Sequence, residues 1–194
     1  MQNNKPVLAL LAGHHRAFFH HWRDPGSVPT RYVKEVVYGE FPFDPINNEH
    51  HEAEKLVHGA AGAYSGDAKI LVCPFTYDLG QKKKWIEHNN VDWVLSIHLN
   101  SPKYRNQFAT GFEAWVYHPD APARVKAQSI CRIMSETLGI KNRMVKYSND
   151  LYILKTDANE ILLEMGFITN PQDVLAIRKR GVEAIIQAIN SITK

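Results

Sequence analysis

The sequence predicts a single-domain α/β fold, with a mostly parallel central sheet whose strands alternate with helices and any active site at the strand carboxyl ends. Three observations predict it. Short continuous apolar runs recur along the chain, as expected of strands covered on both faces. They alternate with segments whose apolar residues repeat at helical spacing. The chain of 194 residues also shows no internal repeat, low-complexity tract or Ser/Gly linker, so one domain spanning 1–194 accounts for it.

Taken in order, Val7–Ala12 is the first strand. Residues 16–48 carry Pro25, Gly26, Pro29, Gly39, Pro42 and Pro45, which break any long element, and read as irregular. Ala53, Leu56, Val57, Ala60, Ala61 and Tyr64 form one helical stripe that Ser65-Gly66 stops. Lys69–Cys73 reads as a second strand, Lys82–Asn89 as a helix and Asp92–Ile97 as a third strand. Phe112–Tyr117 follows the turn residue Gly111 as a fourth. Ala127, Ile130, Cys131, Met134 and Leu138 repeat helically, and Glu160–Leu163 is a short strand. Asn170-Pro171 opens the closing helix, with Asn as cap and Pro at its first position.

Composition excludes several classes. With 44% hydrophobic and 22% charged residues the chain is not wholly disordered. No apolar run approaches the ~18 residues that span a bilayer. The net charge of +3 falls short of a dedicated nucleic-acid binder, so no nucleic-acid partner is expected. Cys73 and Cys131 are too few for a disulfide framework and lack metal-ligand spacing; they read as buried thiols. The run at Val7–Ala12 is too short for a signal-peptide core, so synthesis in the cytoplasm without a leader is expected.

Candidate chemistry sits where the strands end. The first strand runs through Gly13 into His14, the third into His98, and the short late strand into Glu164. Ligands of open α/β sheets bind at such ends. Glu49 falls inside the apolar stripe of the first helix and Glu52 at its flank. A carboxylate turned inward needs a partner, and two imidazoles with one carboxylate form a known zinc set that leaves a position for water. Each residue also has an ordinary reading. A strand-end histidine is commonly a hydrogen-bonded loop residue, Glu49 suits a helix N-terminus, and Glu164 suits an arginine partner. The other histidines (His15, His20, His21, His50, His51, His58, His88 and His118) are assigned no role, and Lys82-Lys83-Lys84 beside Trp85 reads as a solvated helix start. The zincin helix is absent, because Lys55 stands where its second histidine belongs.

Four segments resemble the zinc-dependent N-acetylmuramoyl-L-alanine amidases of the type 3 class, which include autolysins and phage endolysins. They are Leu10-Leu11-Ala12-Gly13-His14, Asn48-Glu49, Leu95-Ser96-Ile97-His98-Leu99-Asn100 and Leu162-Leu163-Glu164-Met165-Gly166-Phe167-Ile168-Thr169-Asn170. Asp24-Pro25-Gly26 and Gly111-Phe112-Glu113 also match family positions. The resemblance implies that His14, Glu49 and His98 bind one Zn²⁺ and that Glu164 is the catalytic carboxylate. It implies a central, mainly parallel sheet of about six strands flanked by helices, peptidoglycan as partner, and as substrate the amide between N-acetylmuramic acid and L-alanine. The chain would act on the wall after release, in phage or mother-cell lysis, with no separate wall-binding domain.

Two departures stand out. The interval from His14 to Glu49 is about twice that of shorter family members, which marks residues 16–48 as an expected insertion rimming the cleft and makes Glu52 the fallback ligand. The stretch from His98 to Gly111 is short, so a constitutively open site is expected. Two alternatives remain at this point: a zinc peptidase or amidase on a free peptide, and a non-catalytic wall-binding module of the same fold.

Overall fold

In the computed structural model, which describes residues 5–13, 49–101 and 109–193, strands and helices alternate along the chain. The order is β1 (Val7–Ala12), α1 (Glu49–Ala63), β2 (Lys69–Val72), α2 (Leu79–His88), β3 (Trp93–Asn100), β4 (Phe112–Val116), α3 (Ala123–Leu138), β5 (Asn142–Tyr147), β6 (Asn159–Phe167) and α4 (Pro171–Thr193). A short 3₁₀ turn, Tyr152–Leu154, precedes β6. All six strands join one sheet in the order β2-β1-β3-β6-β4-β5. Only the β4–β6 pairing is antiparallel. The expected α/β class with a mostly parallel sheet of six strands is therefore what forms. The expected insertion at 16–48 lies outside the described residues.

Period-2 alternation sorts the strands' side chains onto two faces. Leu8, Leu10, Leu95, Ile97, Leu99, Ile161, Leu163 and Phe112 pack on one face, with buried residues of α1, α3 and α4. Ala9, Leu11, Val94 and Leu162 pack on the other, under Ile86 of α2 and Ile153 and Leu154 of the 3₁₀ turn. That second cover is narrower. Toward the carboxyl ends of β3 and β6, the second face turns polar, through Ser96, His98 and Glu164.

Local signals explain the helix starts. Asp78 accepts from the Gln81 amide at 2.8 Å while the Gln81 side chain accepts from the Asp78 amide at 2.9 Å, a capping box. It starts α2 at Leu79, ahead of the expected Lys82. Asn170 Oδ1 accepts from the amides of Gln172 and Asp173, so it caps α4 as its sequence predicts.

Two expectations need revising. β5 was not foreseen, because Asn142-Arg143-Met144-Val145-Lys146-Tyr147 has no apolar run; it is a half-buried strand at the sheet edge. β3 and β6 also continue past the first polar residue, so His98 and Glu164 lie within strands and not beyond their ends. The strands keep pairing there, with His98 opposite Glu164 and Asn100 opposite Phe167. Both cysteines are buried and free, and burial pushes the Cys73 thiol up to about 12 and Cys131 up to about 11. Neither is a ready nucleophile.

Glu160, at the start of β6, faces a cavity of about 410 Å³ at the end of the sheet away from His98. Burial pushes its carboxyl up to about 7, against hydrogen bonds from Thr156, whose hydroxyl donates at 2.6 Å. The folded form thus holds a proton that the unfolded chain releases near its ordinary 4.5, and stability falls as pH rises through that window. We expect Glu160→Gln to match the parent near pH ~4 and to exceed it by up to about 3 kcal/mol near pH ~8. Denaturant unfolding across that range measures it, and a pH-independent difference would contradict the assignment.

Candidate active site

The polar end of the second face is a row that crosses the sheet. Ala12 pairs with Ile97, so Gly13 stands next to His98. His98 pairs with Glu164 on β6, and Glu164 pairs with Glu113 on β4. One residue of each strand therefore meets its neighbour at the same level, about 4.8 Å apart strand to strand.

His98 is buried, and its two ring nitrogens have different partners. Nδ1 lies 3.1 Å from Glu49 Oε1, and Nε2 lies 3.0 Å from Ser96 Oγ. Glu49 reaches it from the first turn of α1, itself buried. Gly13 leaves the room for this meeting. A Cβ at that position would come within 2.7 Å of His98 Nδ1, closer than side-chain carbons approach, and within a tight 3.1 Å of Glu49 Oε1. An imidazole nitrogen and a carboxylate oxygen thus converge over a glycine at the carboxyl end of β1.

Glu52, three residues after Glu49, is directed elsewhere. Arg178 of α4 holds it with Nη2 at 2.6 Å from Oε1 and Nε at 3.2 Å from Oε2, a two-pronged pair. Glu164 is half-buried in the middle of the row. Glu113 is buried and takes three donors: Asn100 Nδ2 at 2.9 Å, Trp115 Nε1 at 3.2 Å and Arg143 Nε at 2.7 Å. The Asn100–Glu113 bond spans the intervening strand β6 and ties β3 to β4 above Glu164.

Of the sequence-predicted residues, the structure brings Glu49 and His98 together and sets Glu164 beside His98. His14 lies outside the described residues, as do Asp24-Pro25-Gly26 and the histidines at 15, 20 and 21. Among the described residues no group of three metal-type donors forms. His51 faces Glu54 at 3.9 Å, His118 faces Asp120 at 3.3 Å, and His58 meets Phe75 edge-on, all away from this row. Sequence reasoning missed Ser96, Lys82 and Arg143. Ser96 had a findable signal, standing two residues before His98 on the same strand face.

Lys82 overturns the reading of a solvated lysine run. Lys84 is exposed, but Lys82 is buried beside Ile86 on the inner side of α2. Its ammonium donates to the Ala12 carbonyl at 2.7 Å and to the Gly13 carbonyl. The long stem crosses the apolar layer and the charge meets carbonyls at the end of β1. The helix thus clamps the backbone that leads into His14.

Fold and site together define an open α/β protein with polar groups gathered where β1, β3 and β6 end, the place where such sheets bind ligands. The chain belongs to the N-acetylmuramoyl-L-alanine amidase family, whose profile matches residues 64–193. Solved structures with the same fold include the amidase of Clostridium difficile 630, 19% identical with 97% of each chain covered and a TM-score of 0.71. The catalytic domain of the amidase CwlV of Paenibacillus polymyxa is 16% identical, covering 96% of this chain and 94% of that one at a TM-score of 0.72. AmiC2 of Nostoc punctiforme is 20% identical, with 96% of each chain covered and a TM-score of 0.72. An uncharacterised protein of Clostridium perfringens strain 13 is 33% identical over 114 residues, 58% of this chain and 34% of that protein. The chain spans about a third of the length of the curated relatives it matches.

The clamp makes a stability prediction. Lys82→Met leaves buried carbonyls of Ala12 and Gly13 without this donor, and we expect a loss of about 1–3 kcal/mol. Lys82→Arg, which keeps a cation on a long stem, recovers part of it. Urea unfolding of both variants checks the claim; a Met variant as stable as the parent contradicts it.

Proposed function

We propose that the chain is a peptidoglycan amidase that hydrolyses the amide between N-acetylmuramic acid and L-alanine, with a zinc ion held by His14, Glu49 and His98 and with Glu164 as the catalytic carboxylate. The observation that carries this reading is the convergence of His98 Nδ1 and Glu49 Oε1 over Gly13, with Glu164 in register on the next strand. Family membership supplies the reaction class.

The residues present suit a metal. Two donors of the zinc-binding type approach to 3.1 Å over a space that only glycine leaves open. Zinc ligands at ~2.0–2.1 Å in tetrahedral array stand close to that separation from each other. With a metal on Nδ1, Nε2 would carry the ring proton and donate it to Ser96 Oγ at 3.0 Å, which would fix ring orientation and tautomer as ligating histidines require. Glu52 is the poorer candidate, since Arg178 engages both its oxygens. When bound, zinc would supply a water acidified toward pKa ~7 and a Lewis acid for the amide carbonyl.

This chain's own residues do the proton work. Glu164, one strand from His98, takes a proton from the attacking water. It then returns that proton to the amide nitrogen, which otherwise leaves poorly as an anion. Asn100 and Glu113 brace the strands on either side, so Glu164 is held by a rigid sheet and not by a loop. No helix among the described residues is long and apolar enough to cross a membrane. The wall is the expected partner, reached after release from the cell that makes the protein.

Digestion of purified peptidoglycan with mass spectrometry of the products tests the reading. New L-alanine amino termini with peptide-free muramic acid, lost on chelation and restored by zinc, are expected. Chelator-sensitive cuts elsewhere in the stem would replace this proposal with a peptidase. Glu164→Ala should retain zinc to within about threefold of the parent in affinity and lose at least ~10²-fold in turnover. Normal turnover by that variant sinks the assignment of Glu164.

A further inference from the structure

We propose that Arg143 is a specificity-determining residue that receives a carboxylate of the peptide on the leaving-group side of the scissile amide. The proposal rests on the amidase reading above and extends the row of polar groups by one more strand. β5 pairs with β4 at Phe112↔Asn142 and again at Ala114↔Val145, with a register shift between them. Arg143 therefore stands beside Glu113, on the side of the sheet that carries Glu164.

Its side chain does not run off the sheet edge. Nε donates to Glu113 Oε2 at 2.7 Å, and the guanidinium carbon lies 5.0 Å from the centroid of the Phe167 ring. Phe167 belongs to β6, three residues after Glu164. The guanidinium thus leans from β5 over Glu113 of β4 and rests against the ring of a β6 residue. Glu113 is a firm anchor for it, because Asn100 and Trp115 already hold the other carboxylate oxygen.

The binding mode leaves a defined set of donors. Arginine carries five N–H groups, and Nε accounts for one. Among the described residues the terminal nitrogens of Arg143 have no recorded hydrogen-bond partner, and the side chain is 33% exposed. A guanidinium fixed by Nε and by an aromatic face offers its terminal nitrogens as a planar fork, the geometry that matches a carboxylate. A residue needed only to neutralise Glu113 would not have to reach the Phe167 ring.

Scale agrees. Two strand spacings of about 4.8 Å separate the backbones of β6 and β5, and the guanidinium has already closed much of that gap. An extended peptide advances roughly 3.3–3.6 Å per residue. A carboxylate on the second residue after the cleaved bond therefore comes within reach of a guanidinium that leans from β5 toward β6 while the amide lies by Glu164. Glu49 and Glu164 both repel an anionic peptide, so a fixed cation beside them is what such a substrate requires.

The test uses two substrates and the zinc-loaded protein: a muramoyl dipeptide whose second residue carries a free α-carboxylate, and the same compound with an α-carboxamide. Wild type should show a KM about 10- to 100-fold lower for the carboxylate. Arg143→Gln should remove that preference by raising KM for the carboxylate alone, with kcat within about twofold; Arg143→Lys should retain part of it. Equal KM values in wild type, or an equal loss on both substrates in Arg143→Gln, would overturn the proposal. Calorimetric titration of the product dipeptide and its amide into wild type and Arg143→Gln reads the same preference without turnover. If wild type cleaves neither substrate, the peptidoglycan digest decides the amidase reading and this titration decides the carboxylate site: equal affinity for acid and amide overturns it. A thermal midpoint for each variant identifies unfolding, and if Arg143→Gln does not fold, the Arg143→Lys comparison and the wild-type titration carry the decision.

Discussion

The parallel register of β3 against β6 is the constraint on which the rest of the site depends. It places His98 opposite Glu164, and it is set by residues that have no part in chemistry. Leu95, Ile97 and Leu99 face the same layer as Ile161, Leu163 and Met165. Sliding either strand by one residue would turn its three apolar side chains toward the polar cleft and bury its polar ones. At about 1.5–3 kcal/mol per large apolar side chain, such a slip costs on the order of 5–10 kcal/mol, comparable with the whole stability of a domain. The polar row is held to a single level by the oily face beneath it.

Above that row the sheet is finished by a bulge and a buried acid. Gly166 has φ 151°, and a Cβ there would crowd Ile177 and Asp173 at 3.0 and 3.1 Å. The pairing shift it accompanies sets Phe167 opposite Asn100, where it supports the Arg143 guanidinium. Bulges beside active sites commonly re-aim one side chain in this way. Asp173, fully buried in the first turn of α4, accepts from the amides of Phe167 and Gly111 at 2.9 and 3.0 Å and from Thr110 Oγ1 at 2.6 Å. A charge with three donors at a helix N-terminus is stable without a cation. It ties the end of β6 to the segment entering β4, so the strands carrying Glu164 and Glu113 share one anchor.

How much of this was legible follows from what each residue signals locally. The apolar strands and helical stripes of α1, α3 and α4 were readable because burial on one face writes its period into the chain. Asn170-Pro171 was readable because capping is a local interaction. β5 was not, since an edge strand with one half-buried side needs no apolar run, and Arg143 and Lys146 look like solvent residues there. The lengths of β3 and β6 were missed for a related reason: His98 and Glu164 end the apolar pattern while the backbone pairing goes on. Lys82 was misread because its neighbours Lys83 and Lys84 made the run look like a charged surface. Only the arrival of the β1 carbonyls, 70 and 69 positions earlier in the chain, distinguishes it.

The same limit applies to the carboxylates, and it explains how chemically identical groups come to differ. Glu49 and Glu52 lie within one turn of α1, both buried, and helical periodicity separates them only as stripe from flank. What separates them is a guanidinium from another helix: Arg178 takes both oxygens of Glu52, while Glu49 points to an imidazole. Glu113 and Glu164 are a second such pair, cross-strand neighbours on one face of the sheet. Glu113 has an arginine, an asparagine and an indole on its two oxygens and is buried, which suits an anchor that must not move. Glu164 is only half-buried, which suits the role proposed for it, since a group that takes up and releases a proton has to be reached by water. A carboxylate's role is therefore settled by which donor a distant segment delivers to it. That information is spread over elements far apart in the chain and becomes visible only when the sheet order brings them together.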